Sequence, residues 1–197
     1  MAGAKLILLP YGVGNGILAI DGRSKTFDAR ADGYGRSEAV AAAVIQDGAS
    51  TSALACCSGV RAGGRGASLT APNGSAQREL IQQVVGRESL SPADVGAIQP
   101  QGLGSALGDP IEMSAVVDAL GAPRASPLAV GCHKANAGHS EAPSGLLGLI
   151  AAQLATRQQC VAANAQLRAL NPVIRERVQH VTPPLALATC TLPAMGV

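Results

Sequence analysis

Aromatic residues are almost absent from this chain: among 197 residues there are no tryptophans, one phenylalanine and two tyrosines. Because 47% of the residues are nevertheless hydrophobic, the core must be built from aliphatic side chains. This apolar content excludes an intrinsically disordered chain. The length is sufficient for one sizeable domain or for a tight pair of small ones.

Charge is also scarce, at 14% of the residues, and 15 basic against 13 acidic residues give a net charge of +2. The basic residues are scattered, so the sequence offers no basic patch for nucleic acid or for an anionic membrane. We therefore expect no nucleic-acid partner. Only Lys5, Lys25 and Lys134 are lysines, and Lys134 lies among small residues and histidines.

The five cysteines are odd in number and contain no C-x-x-C pair. Most lie in apolar runs, which favours buried free thiols in a reducing, intracellular compartment over a disulfide framework or a metal site. Whether that compartment is cytoplasmic or organellar stays open. Cys56 and Cys57 are expected to form a buried apolar pair within a strand.

The N-terminal apolar run, residues 6–20, superficially imitates a signal peptide. Pro10 and three glycines interrupt it, no cleavage site follows promptly, and it is shorter than a bilayer requires. We expect neither a leader nor a transmembrane segment. Gly12-x-Gly14-x-Gly16 resembles a phosphate-binding loop, but the spacing is wrong and no capped helix follows, so we expect no cofactor.

Hydrophobic periodicity predicts alternating strands and helices. Strands are expected at residues 5–9, 38–45, 54–60, 95–98, 128–132 and 160–164, with 38–45 and 54–60 paired antiparallel across a turn at 46–48. Helices are expected at 77–86, capped by Asn73 or Ser75, and at 109–120 and 144–157, with a short helical turn at 91–94. This order predicts an α/β fold, a parallel or mixed sheet covered by helices.

Four motifs identify a family resemblance. They are Asp21-Gly22-Arg23-Ser24-Lys25-Thr26-Phe27-Asp28-Ala29 with Ala31-Asp32-Gly33-Tyr34-Gly35-Arg36, then Leu69-Thr70-Ala71-Pro72-Asn73-Gly74, then Gly108-Asp109-Pro110-Ile111-Glu112, and finally Lys134-Ala135-Asn136-Ala137-Gly138-His139. In this order they resemble the β-ketoacyl synthases of polyketide synthases, over about residues 1–174.

The resemblance implies a thiolase-like fold, which has two similar αβ halves in five layers, is about twice this length and is dimeric. This chain would supply mainly the second half. We accordingly expect residues 1–74 to be a remnant of the first half with connecting strands, 75–174 to be the C-terminal ketosynthase-like half, and 175–197 to be a divergent tail.

The resemblance also implies the site residues. A ketosynthase holds an acyl chain on a cysteine thiolate and decarboxylates a malonyl thioester, whose carbanion attacks the acyl group, while two histidines and a lysine stabilise the charge. The second histidine motif matches Lys134, Asn136 and His139. The first appears here as Gln101-Gly102-Leu103-Gly104-Ser105, with Gln101 in place of the histidine.

A glutamine amide donates a hydrogen bond, but it has no titratable proton near neutral pH. Loss of one oxyanion donor costs about 10²–10³ in rate. The family's nucleophilic cysteine would precede the segment at residues 3–10, and its closing glycine-rich loop has no match in 175–197. We therefore expect no condensation by this chain alone.

Local residues offer no replacement for the nucleophile. Cys132 and His133, as adjacent strand residues, would point to opposite faces and could not pair. A core cysteine and a structural histidine are favoured, and His180 is expected to be exposed. Lys134 and His139 could also be retained for structure alone, and Asp109 and Glu112 suit the positive end of a helix without any substrate.

Two functions stay open. The first is a catalytically inactive accessory or scaffold subunit, whose exposed apolar face is covered by other protein subunits, with an acyl carrier protein as a further candidate partner. The second is a fragment, or a half completed in trans, of an active β-ketoacyl synthase, an acyltransferase, in polyketide or fatty-acid synthesis. Gln101 favours the first, because truncation does not explain an internal substitution.

Overall fold

Helices alternate with short strands along the chain. The structure is a computed structural model that describes residues 17–45, 56–66, 71–88 and 90–192. Its elements there are α1 (Gly74–Arg87), a 3₁₀ turn (Pro92–Asp94), β1 (Ala97–Ile98), α2 (Gly108–Leu120), β2 (Ala129–Val130), α3 (His133–Ala137), α4 (Ser144–Gln158), β3 (Cys160–Val161), α5 (Pro172–Val178) and β4 (Cys190–Thr191). The helices predicted at 77–86, 109–120 and 144–157 and the turn at 91–94 are confirmed.

The ends of these helices follow from their sequences. At the start of α1 the side chain of Asn73 accepts a hydrogen bond from the Ala76 backbone N–H over 3.1 Å, so Asn73 is the cap. α5 begins in the same way, because Asn171 caps it and Pro172 occupies its first turn. α4 ends where Gln159 adopts a left-handed conformation.

The strands form two small sheets of opposite kind. β1 and β2 pair in parallel, with Ala97 opposite Ala129, and a further bridge joins Ala129 to Ala186 on the other side of β2. β3 and β4 pair antiparallel, with Val161 opposite Cys190. The predicted α/β class with a mixed arrangement of strands is therefore confirmed. The strands predicted at 95–98, 128–132 and 160–164 are present but shorter.

The main core surrounds α2 and is aliphatic apart from one ring. Its fully buried members are Phe27, Met113, Val116, Ala119, Leu120, Leu128, Val130 and Ile174. Burial of each of these side chains other than Ala119 stabilises the fold by about 1.5–3 kcal/mol. Phe27, the sole phenylalanine, is completely buried and has a left-handed backbone with φ 62°. Its N–H donates to Asp109 over 2.8 Å, and its C=O accepts from the Asn171 N–H over 2.8 Å.

The predicted strand pair at 38–45 and 54–60 is wrong for the described residues. Residues 38–45 and 56–60 contain no strand, and Val40, Val44 and Val60 are 101%, 92% and 99% exposed. A preference for β structure is a preference for a half-buried pleated surface, so these small apolar runs form no strand without a layer to pack on. Residues 54–55 lie outside the described residues.

The cysteine predictions have mixed outcomes. All five thiols are free, as expected, and Cys132 is buried. The buried pair expected at Cys56 and Cys57 is wrong, because Cys56 is exposed and Cys57 is half-buried, in a segment without a strand. Cys160 and Cys190 are half-buried.

Several expectations concern the N-terminal segment. The strand at 5–9 and the glycine run at 12–16 lie outside the described residues, as does the turn at 46–48. None of the helices in the described part combines the length and apolar character needed to cross a membrane.

Candidate functional site

The centre of the site is the turn at residues 101–105, between β1 and α2. Gly102 and Gly104 both have positive φ, +46° and +81°. A Cβ atom on Gly102 would lie 2.7 Å from the Cys132 Sγ, and one on Gly104 would lie 2.8 Å from the Gly33 carbonyl oxygen. The two glycines therefore allow this turn to approach its neighbours closely. The position of the turn also fixes the position of its first residue, Gln101.

Two carboxylates from the first turns of α2 hold this backbone. Glu112 accepts hydrogen bonds from the N–H groups of Gln101 and Gly102 over 2.6 and 2.8 Å. Asp109 accepts from the N–H groups of Gly104 and Ser105 over 3.2 and 3.1 Å, besides that of Phe27. These acids thus do more than face the positive end of a helix: they join α2 to the turn.

Burial raises the pKa of Glu112, and the N–H bonds from the Gly102 and Gln101 backbone oppose the increase. The pKa of Asp109 is raised by burial in the same way, against the bonds from Phe27, Ser105 and Gly104. Both carboxyl groups are therefore costly to bury and are retained where several N–H donors converge.

Lys134 lies in α3 and is almost completely buried, at 2% exposure. Its Nζ donates a hydrogen bond to the Gln101 Oε1 over 3.2 Å. Burial lowers the pKa of Lys134, against the opposing effects of Cys132 and Glu112. The structure thus brings together two of the residues that the sequence singles out, Lys134 and Gln101.

His139 follows α3 through Gly138, whose φ is +78°. Its backbone pairs with the segment 35–37, because the His139 N–H donates to the Gly35 carbonyl over 2.7 Å and the Ser37 N–H donates to the His139 carbonyl. The imidazole Nδ1 accepts a hydrogen bond from the Glu141 backbone N–H over 2.9 Å. In the neutral ring the proton is therefore on Nε2.

Burial lowers the pKa of His139; the Glu141 charge raises it and the Lys134 charge lowers it further. At neutral pH the ring is accordingly mostly uncharged, with one N–H to donate. That is the state in which an imidazole acts as a hydrogen-bond donor to a developing oxyanion.

Tyr34 and Glu141 complete the surroundings of His139, and sequence reasoning did not single them out as site residues. The Tyr34 ring centroid lies 4.8 Å from that of His139, and the Tyr34 hydroxyl donates to the Glu141 Oε1 over 2.9 Å. Burial, followed by the bond to Glu141, raises the pKa of Tyr34. The only sequence signal is that Tyr34 and Glu141 lie inside or beside two of the family-like motifs.

Asn136 is placed differently from its neighbours in the same motif. Its side chain donates to the Ala163 carbonyl and accepts from the Ala165 N–H, both over 3.1 Å. Both polar atoms of the amide are thus engaged with the loop at 163–165. In this arrangement the Asn136 side chain ties α3 to that loop.

The prediction that Cys132 and His133 are adjacent strand residues is wrong, because α3 begins at His133 and Cys132 precedes it as its cap residue. Burial raises the pKa of the Cys132 thiol, which lies near backbone carbonyls of the Gln101 turn. Both ring nitrogens of His133 are buried without a hydrogen-bond partner among the described residues, and burial lowers its pKa to about 4. His180 is exposed, as expected.

Two of these residues each carry a side-chain donor whose neighbouring acceptor atom is already engaged. His139 offers Nε2–H, and Gln101 offers its amide NH₂, because its oxygen is occupied by Lys134. Donors of this kind suit a carbonyl oxygen on which negative charge develops.

Comparison with known proteins shows which family this chain belongs to. The family described as "Beta-ketoacyl synthase, C-terminal domain" matches residues 52–168. The highly reducing polyketide synthase otaA of Aspergillus niger is 41% identical over 169 residues, which are 82% of this chain and 7% of that protein. The highly reducing polyketide synthase alnA of Emericella nidulans is 33% identical over 208 residues, 99% of this chain and 8% of that protein.

Solved structures give the same result for the fold. The oxazolomycin ketosynthase domain OzmH KS7 of Streptomyces albus superposes with a TM-score of 0.74 at 27% identity, over 89% of this chain and 32% of that one. The ketosynthase from module 6 of the bacillaene synthase of Bacillus subtilis gives 0.73 at 21% identity, over 92% and 33%. The chain thus spans less than a tenth of these curated relatives and about a third of these ketosynthases, and the expected thiolase-like fold is confirmed.

Proposed function

This chain belongs to the family of β-ketoacyl synthase C-terminal domains, and from that premise we propose that it is a ketosynthase-derived accessory part of a polyketide assembly that does not drive decarboxylative condensation. The proposal depends on one observation. Gln101, at which the family resemblance implies an imidazole, accepts a hydrogen bond from Lys134 at its Oε1.

The physical argument concerns the enolate that forms when a malonyl thioester loses CO₂. Its oxygen carries a full negative charge, which two imidazoles would stabilise better than one imidazole and one amide. The Gln101 NH₂ still donates a hydrogen bond, but it neither gains a positive charge nor transfers a proton near pH 7. A donor lost or weakened at this position costs about 10²–10³ in rate. Binding of a thioester carbonyl is weakened less than enolate formation by this change, because a carbonyl oxygen requires only hydrogen bonds.

An accessory role also needs a surface for partners. Leu149 and Leu154 of α4 are 56% and 46% exposed, and Val40 and Val44 of the segment 38–45 are more exposed still. We propose that other protein subunits or domains of the assembly cover these apolar side chains. An acyl carrier protein, which would deliver the thioester, is a further partner in this proposal.

A second function has a specific observation in its favour. The His139 Nδ1 accepts from the Glu141 N–H, which leaves the ring proton on Nε2, and the Lys134 Nζ donates to Gln101. These residues support an active β-ketoacyl synthase half, completed by the part of the assembly that carries the nucleophilic cysteine, with acyltransferase activity.

The two proposals differ in one measurable rate. In the complete assembly containing this chain, we would measure CO₂ release from a malonyl thioester and, separately, acyl transfer to the assembly. The variant Gln101→His should increase CO₂ release about 10²-fold while acyl transfer changes little. Gln179→His, the same substitution at an exposed position, should leave both rates unchanged.

If the unsubstituted assembly releases CO₂ as fast as the Gln101→His variant, the accessory proposal is wrong and the active synthase is supported. Mass analysis of the purified assembly identifies the chain that carries an acylated cysteine. If no chain carries an acylated cysteine, and neither the unsubstituted assembly nor the Gln101→His variant releases CO₂, a purely structural subunit is supported.

A further inference from the structure

The backbone of Glu141 is strained, although glutamate has no preference for a left-handed conformation. Its φ is +57°, a left-handed conformation that costs a non-glycine residue about 1 kcal/mol or more. In this conformation its N–H donates to the His139 Nδ1 over 2.9 Å. Such a conformation persists only when its surroundings hold it. The Glu141 carbonyl accepts from the Ser144 hydroxyl over 2.7 Å and from the Ser144 N–H over 3.2 Å, and the contacts of the Glu141 side chain add to these backbone bonds.

That side chain is 52% exposed, so packing does not hold it. Two groups contact its carboxylate: the Tyr34 hydroxyl donates over 2.9 Å, and the Arg36 Nε lies 3.7 Å away. The arginine is itself 47% exposed, and an ion pair of this length and exposure contributes little. The tyrosine hydroxyl is therefore the stronger anchor.

Tyr34 is suited to be an anchor because its own backbone is fixed. Its N–H donates to the Ile17 carbonyl over 3.1 Å, and its carbonyl accepts from the Ala19 N–H over 3.0 Å. The following residue, Gly35, approaches Gly22 so closely that a Cβ would lie 2.0 Å from the Gly22 carbonyl oxygen. The phenol thus projects from a rigid segment toward both the imidazole and Glu141.

We propose that Tyr34 is a positioning residue for His139, which acts through the Glu141 carboxylate to hold the strained turn that keeps the imidazole proton on Nε2. Its hydroxyl fixes the Glu141 side chain, while its ring lies against the imidazole with an interplanar angle of 46°. The inference deepens the proposed function, because His139 is the one imidazole retained there. It does not require any turnover.

The tautomer of His139 is the direct readout. Two-bond ¹H–¹⁵N correlation spectra of the full chain, labelled with ¹⁵N-histidine, distinguish Nε2–H from Nδ1–H rings at a pH above 8, and His139→Asn identifies the signal. We expect the unsubstituted chain to show Nε2–H. Tyr34→Phe should raise the ratio of Nδ1–H to Nε2–H about two- to tenfold, the effect of weakening one hydrogen bond. Arg36→Ala should leave that ratio unchanged.

A matched pair at Glu141 separates anchoring from simple stability. Glu141→Ala keeps the backbone strain but loses the anchor, so the ratio of Nδ1–H to Nε2–H in His139 should rise as in Tyr34→Phe. Glu141→Gly removes both the anchor and the strain, so the ring should stay in the Nε2–H form, also in combination with Tyr34→Phe.

An Nε2–H ring unchanged in Glu141→Ala would overturn the inference, and this test does not depend on whether Tyr34→Phe folds. An equal tautomer shift in Glu141→Ala and Glu141→Gly would overturn it as well. Because no activity enters these spectra, they stand apart from the CO₂-release assay, and either proposal can fail without the other.

Discussion

The Nζ atom of Lys134 donates a hydrogen bond to the Oε1 atom of Gln101 over 3.2 Å, so a buried ammonium group holds the glutamine for which we propose the position of a family imidazole. Lys134 is 2% exposed, whereas Gln101 is exposed. The lysine therefore bears a desolvation cost that the Gln101 oxygen and the charge of Glu112 offset only in part, since its pKa is lowered overall.

Lys134→Met should accordingly stabilise the chain at pH 7, by about 1 kcal/mol or more in the free energy of unfolding. The pH dependence has a definite sign. Because burial lowers the folded pKa of Lys134 below 10.5, the unfolded chain binds more protons between those two values. The stability due to this group therefore rises with pH in that window, and Lys134→Met should lose the rise.

Lys25→Met is the control, because the pKa of Lys25 is shifted in the opposite direction from that of Lys134. Burial lowers the pKa of Lys25, but bonds to Asp32 and Asp21 outweigh burial and raise it overall. Its stabilising contribution is thus present below pH 10.5 and is lost as pH rises through its folded pKa. Urea unfolding from pH 7 to 10.5 measures the contribution of Lys134, and the same measurement continued above pH 10.5 measures that of Lys25. Equal pH dependence in Lys134→Met and the unsubstituted chain would contradict the prediction.

Glu112→Gln should destabilise the chain by about 1–3 kcal/mol. The carboxylate accepts from two backbone N–H groups of the Gln101 turn, and a carboxamide has only one oxygen with which to replace it. Its NH₂ group would face an N–H donor. Thermal unfolding measures the effect as a decrease of several degrees in Tm.

The matched control is Glu79→Gln, since Glu79 is 43% exposed and pairs with Arg61 at the surface. That change should cost less than about 1 kcal/mol. Similar losses for the two variants would show that Glu112 does not hold the turn.

The sequence was sufficient to predict the three main helices and the family, because capping residues, helical periodicity and ordered motifs are local signals. It also singled out Gln101 and Lys134 by their motif positions, and the structure joins these two residues by a hydrogen bond. The bond between Tyr34 and Glu141 could not be predicted, since 107 residues separate them along the chain. α3 was missed because five residues are too few to show a helical period, which led to the wrong strand geometry for Cys132 and His133.

His133→Leu should remove much of the acid sensitivity of the fold. Burial lowers the pKa of His133 from 6.5 to about 4, so its stabilising contribution is present above pH 6.5 and is lost as pH falls toward 4. The corresponding loss between pH 7.5 and 4 is about 2–3 kcal/mol. Leucine has a similar volume and no unpaired nitrogens, so stability at pH 7.5 should be unchanged or increased.

Urea unfolding at both pH values tests this, with His180→Leu as the control at an exposed position. The control should keep the full acid sensitivity of the unsubstituted chain. If His133→Leu loses as much stability on acidification as His180→Leu, His133 is not the responsible group.

Gly102→Ala and Gly145→Ala should change stability in opposite directions. At Gly102 a Cβ would lie 2.7 Å from both the Cys132 Sγ and the Thr26 Cγ2, at a φ of +46°, so alanine should cost about 2–4 kcal/mol. Gly145 lies in α4 with nothing within 4 Å of its Cβ position, so alanine should gain about 0.5–1 kcal/mol. Chemical denaturation of both variants measures the difference.

The same pair connects the turn to the site. Because Gly102 directly follows Gln101, displacement of its backbone should also weaken the bond between Lys134 and Gln101. Gly102→Ala should therefore move the pH dependence of unfolding that Lys134 contributes, whereas Gly145→Ala should leave it unchanged.

Combining Gly102→Ala with Cys132→Ala removes one of the two clashing atoms and should restore part of the lost stability. If the double variant is no more stable than the sum of its single changes predicts, the close contact with Cys132 is not what requires glycine there.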